Sequence, residues 1–293
     1  MADKLIRGNS SDGAIRVFSA ITTDTVNEGV RIHKAYPTAA AAFGRVLTVS
    51  AIMGAGLKGE NDSITVQFKG DGPLGTIVAV SGSDAAVRGY IENPMVDIKR
   101  KKNGKLDVGG AVGKGYLSVA KDLGLKEPYT GQVPIVTGEI AEDMTYYFAR
   151  SEQIPTAISL GVLVDKDQTI KAAGGFMIQL MPEAGEDIAA ELEERMRTLP
   201  PVTEMIDKGM SAEDILFYVT EGYSMIAENK GLVPEYRCKC SRRRMERALI
   251  SIGKKELGDI INEQGEAEIT CQFCDNRYLF NKNDLEKLLK EAK

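Results

Sequence analysis

All four cysteines of this chain, Cys238, Cys240, Cys271 and Cys274, sit within 37 residues near its C-terminal end, and none occurs among the first 237. They read Cys238-Lys-Cys240, then thirty residues, then Cys271-Gln-Phe-Cys274. Two close pairs of soft ligands are the usual supply for a tetrahedral zinc site. The second pair has the two-residue spacing of a zinc knuckle. The first is tighter than the usual two to four, so it can chelate but also holds its sulfurs within easy reach of each other. The stretch that carries them, about residues 232–293, is too short for a large core, and units of this size often need a metal. Structural zinc contributes about 10–16 kcal/mol of apparent binding free energy in finger peptides. A domain's net stability is about 5–15 kcal/mol. Loss of the metal could therefore unfold the whole unit.

Spacing alone leaves three possibilities open: a structural zinc site, a redox site and permanent disulfides. Met1 to Ser11 is polar, so no secretory signal is expected there. A cytosolic location is expected, and in that compartment thiols stay reduced. Arg237, Lys239, Arg242, Arg243 and Arg244 surround the first pair. Positive charge favours thiolate, the species that oxidants attack, and offsets the −2 formal charge of a four-thiolate zinc site. The same arginines could bind nucleic acid, but the terminal stretch holds 11 acids against 13 bases, and the chain as a whole carries a net charge of −5.

Residues 1–182 predict an α+β domain built on antiparallel strands. Lys4–Arg7 and Ala14–Ala20 read as a hairpin around the 8–13 turn. Thr22–Ala35 and Pro37–Leu57 read as helices that cover or enter the sheet. The second is the longest apolar run and carries Arg45, so a buried helix is expected and not a membrane span. Ile64–Phe68, Gly75–Val80, Val87–Ile91, Gln132–Val136, Met144–Ala149, Ile158–Val164 and Ile170–Leu180 are strand-like.

Residues 183–231 differ. The β signals stop, and Ile188, Leu192, Met196 and Leu199 take helical spacing. Ser211–Asp214 resembles a capping box ahead of Ile215, Leu216 and Val219. Acids outnumber bases 12 to 4 across 183–230. Helices this short are marginal in isolation, so a linker poised between docked and unfolded is expected. Within 232–293, helices are expected at Ser241–Ile252, Lys254–Asn262 and Asn281–Ala292, with strands at Glu266–Thr270 and Arg277–Phe280.

Several motifs carry less than they suggest. Gly70-Asp-Gly72-Pro-Leu-Gly75 matches a dinucleotide pattern but leads into a β-like run, so a turn is expected. Gly109–Gly115 lacks the hydroxyl residue of a P-loop and reads as a turn. Arg100-Lys-Lys102 with Asn103-Gly104 reads as a solvated hairpin tip, and Glu139, Glu142 and Asp143 as hydrated acids at a turn. The single histidine, His33, leaves no nucleophile–base–orienter set, so no enzyme is expected.

The cysteine pattern at the end of a chain of this length resembles the bacterial redox-regulated heat-shock holdase family, the thirty-three-kilodalton chaperonins. Further segments share the resemblance: Thr22-Thr-Asp24 with Pro37-Thr-Ala39, Gly72–Gly75, Arg88-Gly-Tyr-Ile-Glu-Asn-Pro94, Gly131-Gln132, and Gly174-Gly-Phe176 with Gln179–Pro182. The resemblance implies that the reduced protein holds one Zn2+ through Cys238, Cys240, Cys271 and Cys274 and is inactive. Oxidation then forms disulfides, most simply Cys238–Cys240 and Cys271–Cys274, and releases zinc. The terminal unit and linker lose structure, and the active, dimeric form holds unfolding clients without ATP, to be passed to refolding chaperones. Ile188, Leu192, Met196, Ile206, Ile215, Leu216 and Val219 would then become available to clients. Two rivals belong to other classes, a zinc-ribbon nucleic-acid module and a thiol–disulfide oxidoreductase. The second lacks a thioredoxin-like βαβ pattern.

Overall fold

The computed structural model describes residues 2–182 and 184–292. Two compact units divide the chain, Met1–Arg237 and Cys238–Lys293.

In the first unit, β1 (Lys4–Ser10) and β2 (Ile15–Ile21) form the expected hairpin, followed by α1 (Thr23–His33) and α2 (Pro37–Ala55). A meander follows: β3 (Ser63–Gly70), β4 (Thr76–Gly82), β5 (Ala86–Ile91), the single-turn helix α3 (Val108–Val112), β6 (Gly115–Asp122) and β7 (Tyr129–Ile135). Helix α4 (Ile140–Tyr147) widens into a π turn at Phe148–Glu152, and β8 (Thr156–Val164) pairs with β9 (Ile170–Leu180). Helices α5 (Glu186–Thr198), α6 (Val202–Asp207) and α7 (Ala212–Val219) precede β10 (Met225–Leu232) and the short β11 (Glu235–Tyr236).

These strands make two sheets, ordered β10-β1-β2-β9-β8 and β11-β5-β4-β3-β6-β7. Pairing is antiparallel except for β11 on β5. Helix α2 runs between the sheets. It packs on β3, β4 and β5 of one and on β2, β8 and β9 of the other. That position explains its small residues. A Cβ on Gly54 would lie 2.4 Å from Ser81 Oγ, and one on Gly44 would lie 2.6 Å from a Val26 methyl. By length and composition α2 could cross a membrane, but 94% of its apolar window is buried inside the protein.

The linker helices cover the other face of the first sheet. Leu192, Val202, Met205, Ile206, Ala212, Ile215, Leu216 and Val219 form one buried cluster with Ile6, Ile15, Val17, Ile21, Ala172, Phe176 and Ile178. The capping box at Ser211 is formed: its hydroxyl accepts from Asp214 N–H, and Asp214 accepts from Ser211 N–H.

Several expectations are corrected. Met144–Ala149 is not a strand. Ile140, Met144 and Tyr147 recur at helical spacing and are buried, and this burial outweighs the β propensity of the aromatic run. The stretch 183–231 does not stay helical, because β10 completes the first sheet beside β1. The C-terminal compact unit begins at Cys238 and not at Leu232. Gly109–Gly115 holds α3, whose N-cap Asp107 accepts from Gly110 N–H. The Lys101–Lys105 turn closes without flanking strands.

The acids at 139–143 are not simply hydrated either. Asp143 is fully buried and accepts from the N–H groups of Val136, Thr137 and Gly138 at 2.8, 3.0 and 2.8 Å. Glu139 bridges Arg45 and Lys101, each at 2.7 Å. Burial works against the charged form of Glu139, but these two cations outweigh it and hold its carboxyl below the usual range.

In the second unit, α8 (Arg242–Ser251) and α9 (Lys254–Glu263) lead into the hairpin of β12 (Glu266–Thr270) and β13 (Arg277–Asn281), closed by α10 (Lys282–Glu291). Its core is small: Leu249, Leu257, Ile261, Phe280, Leu285, Leu288 and Ala292.

Candidate metal centre

The tip of the β12–β13 hairpin carries the second cysteine pair. Cys271 N–H donates to Asn276 O at 2.9 Å, while the N–H groups of Cys274 and Asp275 both turn back to Cys271 O. Asp275 takes the left-handed backbone conformation that this tight reversal needs, with φ 58°. The first pair lies in the extended segment before α8, whose N-cap is Ser241. Arg242 ties that segment to the hairpin. Its guanidinium donates to Leu279 O at 2.7 Å, pairs with Asp284 at 2.9 Å and lies 4.2 Å over the Phe280 ring. Asp284 is itself fixed by the capping box of α10 with Asn281.

These constraints bring the four sulfurs together, all within 4.8 Å of one another. Cys238 and Cys271 are 3.7 Å apart, and Cys240 and Cys274 are 3.4 Å apart. A metal–sulfur bond of about 2.3 Å puts the edge of a tetrahedron at about 3.8 Å, so the donor set fits a zinc-sized ion. The four thiols are positioned to bind a metal ion.

Each sulfur has a different setting. Burial pushes the Cys238 and Cys274 thiols up, against the backbone N–H groups of Cys240 and Asn276 that favour their thiolates. Burial also opposes ionisation of Cys240, but the Tyr278 hydroxyl at 3.0 Å, followed by the neighbouring thiols, brings it down to about 7. Tyr278 is raised to about 12 by the same hydrogen bond. Asn276 Nδ2 approaches Cys240 Sγ at 3.9 Å. The sequence reading missed Tyr278 and Asn276. The usable signal was strand alternation on β13, which places Tyr278 on the side of the buried Phe280.

The basic residues near the first pair are partly committed. Arg237 pairs with Asp84 at 2.8 Å and Glu235 at 3.3 Å, and Arg242 with Asp284 and Glu246. The residues expected to meet clients are covered. Leu192, Ile206, Ile215, Leu216 and Val219 are buried, and Ile188 and Met196 pack against the same cluster. His33 is structural: its Nε2 lies 3.0 Å from Gly89 O and 3.1 Å from Tyr236 Oη, with its ring edge-on to Phe43.

The profile of the family described as Hsp33 protein matches residues 3–281. This chain belongs to the Hsp33 family. It is 52% identical over 291 residues to the 33 kDa chaperonin of Clostridium acetobutylicum, covering 99% of this chain and 98% of that relative. The 33 kDa chaperonin of Clostridium tetani is 50% identical over 292 residues, with 99% of each covered. Among solved structures, the 33 kDa chaperonin (heat shock protein 33 homolog) of Thermotoga maritima superposes with a TM-score of 0.88 at 37% identity. That match covers 98% of this chain and 97% of the other. Membership in Hsp33 supports a chaperone role, and its named relatives are chaperonins.

Proposed function

We propose that this chain is a redox-regulated, ATP-independent holdase whose reduced form carries one Zn2+ on Cys238, Cys240, Cys271 and Cys274. The observation that carries the reading is the gathering of four thiols within 4.8 Å in a unit with a small core. Zinc would cross-link the segment before α8 to the β12–β13 hairpin and hold the thiolates in one cluster. Oxidation pairs Cys238 with Cys240 and Cys271 with Cys274. Each dithiolate gives up two electrons, and peroxide with two protons takes them up as two waters. The disulfide sulfurs no longer carry the charge that holds a metal. The second unit then loses its cross-link, and the loss passes to the linker.

The linker supports this route. Its apolar side chains are packed on one sheet face, so undocking α5–α7 uncovers both the helices and the sheet. Docking also leaves a groove of about 400 Å³ between α5 and β8–β9, lined by Ile158, Ile178, Leu180, Leu192 and Met196 among others. Unfolding proteins are the clients, the active form is a dimer, and release leads to refolding chaperones. We place the protein in the cytoplasm, acting without membrane or nucleic acid. The pairing of Arg237 and Arg242 with acids disfavours the nucleic-acid module.

The test combines zinc stoichiometry, a free-thiol count and suppression of client aggregation on one sample. All are measured before and after peroxide at elevated temperature. Expected are one zinc, four thiols and no suppression before treatment, then loss of zinc and thiols with suppression gained. Retained zinc and inactivity after full oxidant treatment would sink the switch.

A further inference from the structure

Cys240 is set apart from the other three sulfurs by what surrounds it. Among the described residues, the side-chain O–H and N–H donors that reach a site sulfur are Tyr278 Oη and Asn276 Nδ2, and both reach Cys240. The Tyr278 contact is short for a sulfur acceptor, at 3.0 Å. A thiolate can only accept, so with Cys240 ionised the phenol must be the donor.

The fold holds this phenol in place. Tyr278 stands opposite Ile269 in the β12–β13 register, two positions from the buried Phe280. Arg242, two residues beyond Cys240, grips the same strand through Leu279 O and the Phe280 ring. The phenol and the sulfur it meets are therefore positioned by one pair of elements, β13 and the start of α8.

We propose that Tyr278 is a positioning residue of the thiolate centre, whose hydroxyl donates to Cys240 Sγ, withdraws charge from that sulfur and shields it from electrophiles while it is a ligand. The inference rests on the zinc reading above. A four-thiolate site carries excess negative charge, and a donor aimed at one sulfur offsets part of it. A hydrogen bond to the charged form stabilises that form. Groups that hydrogen-bond metal ligands typically change metal affinity 10–100-fold when removed. Oxidation of Cys240 to a disulfide would remove the anionic acceptor, so β13 would lose this hold on the first pair at the same step that removes the ligand.

The experiment uses the full-length, reduced, zinc-loaded protein and Tyr278→Phe, which keeps the ring and deletes the donor. Zinc affinity is measured by chelator competition. Alkylation of each cysteine by iodoacetamide is followed by mass spectrometry. The cobalt-substituted forms report the thiolate-to-metal charge-transfer band. Expected are a zinc Kd raised about 10-fold, Cys240 alkylated several-fold faster with Cys271 unchanged, and a shifted cobalt band. A merely structural role would not single out Cys240. Asn276→Ala, whose donor is more distant, should move each readout in the same direction by less. Unchanged affinity and an unchanged Cys240 rate in Tyr278→Phe would overturn the proposal. Absence of zinc binding by the wild-type chain would instead overturn the zinc reading, so the two failures are distinguishable.

Discussion

Asp143 shows how one residue can be misread from composition and decided by its surroundings. Glu139, Glu142 and Asp143 look alike in sequence, as acids near a turn. In the fold, Asp143 is fully buried and closes the β7–α4 connection by accepting three backbone N–H groups. Hydrogen bonds to charged groups are worth about 1.5–3 kcal/mol each, and a buried donor left unpaired costs about 1–3 kcal/mol. Of these donors the Gly138 N–H is the buried one, so Asp143→Ala is expected to destabilise the first unit by about 1–3 kcal/mol. Asp143→Asn, which keeps one acceptor oxygen, should lose less. Urea unfolding followed by a probe in the first unit checks this. A change below about 0.5 kcal/mol, the ordinary size for a surface substitution, would show that the turn does not depend on this carboxylate.

At the scale of elements, the parts with strong local signals were legible and the parts decided by tertiary contact were not. Pro37 at the start of α2, the Ser211 capping box and the closely spaced strands of the meander announced themselves. The clustering of the cysteines did so as well, because two close pairs of soft donors favour convergence on one site. Helix α4 was missed because its aromatic run has β propensity, and only burial of Ile140, Met144 and Tyr147 selects the helix. Strand β10 was missed because its sequence, Met-Ile-Ala-Glu-Asn-Lys-Gly-Leu, has few β formers. Pairing with β1 makes it a strand. The linker helices sit between these cases: their periodicity was visible, but not the surface they dock on. Leu216 is fully buried at that docking surface, in the cluster with Ile6, Ile15 and Val17. Truncating a buried leucine to alanine costs about 2–5 kcal/mol. Leu216→Ala should therefore shift the linker toward its undocked state. If docking keeps the proposed holdase inactive, the reduced, zinc-loaded variant will suppress client aggregation without oxidant, and amide exchange in α5–α7 will speed up. Faster exchange without any gain in suppression would separate linker docking from inhibition.

For the whole molecule, the decisive contrast is between the cores of the two units. The first unit buries α2 between two sheets and adds the linker cluster on the outer face of one of them. A core of that size is expected to stand without a metal. The second unit has one small cluster, from Leu249 to Ala292, and its cysteines join two segments that Arg242 also ties together. A structural zinc term of about 10–16 kcal/mol is as large as the whole net stability of a typical domain, about 5–15 kcal/mol. Removing the metal under reducing conditions should therefore unfold Cys238–Lys293 while the two sheets of the first unit stay intact. Hydrogen exchange on the reduced protein, with and without a strong chelator, resolves the two outcomes by region. Expected is near-complete loss of protection across α8, α9 and β12–β13 with protection retained in α2 and β9. If the linker follows the metal, α5–α7 will lose protection in the same experiment, before any disulfide has formed. Loss confined to 238–293 would mean that oxidation acts on the linker by a route other than metal loss. Retained protection in the second unit without metal would show that its small core stands alone, and the centre would then lack the leverage that a switch of this design requires.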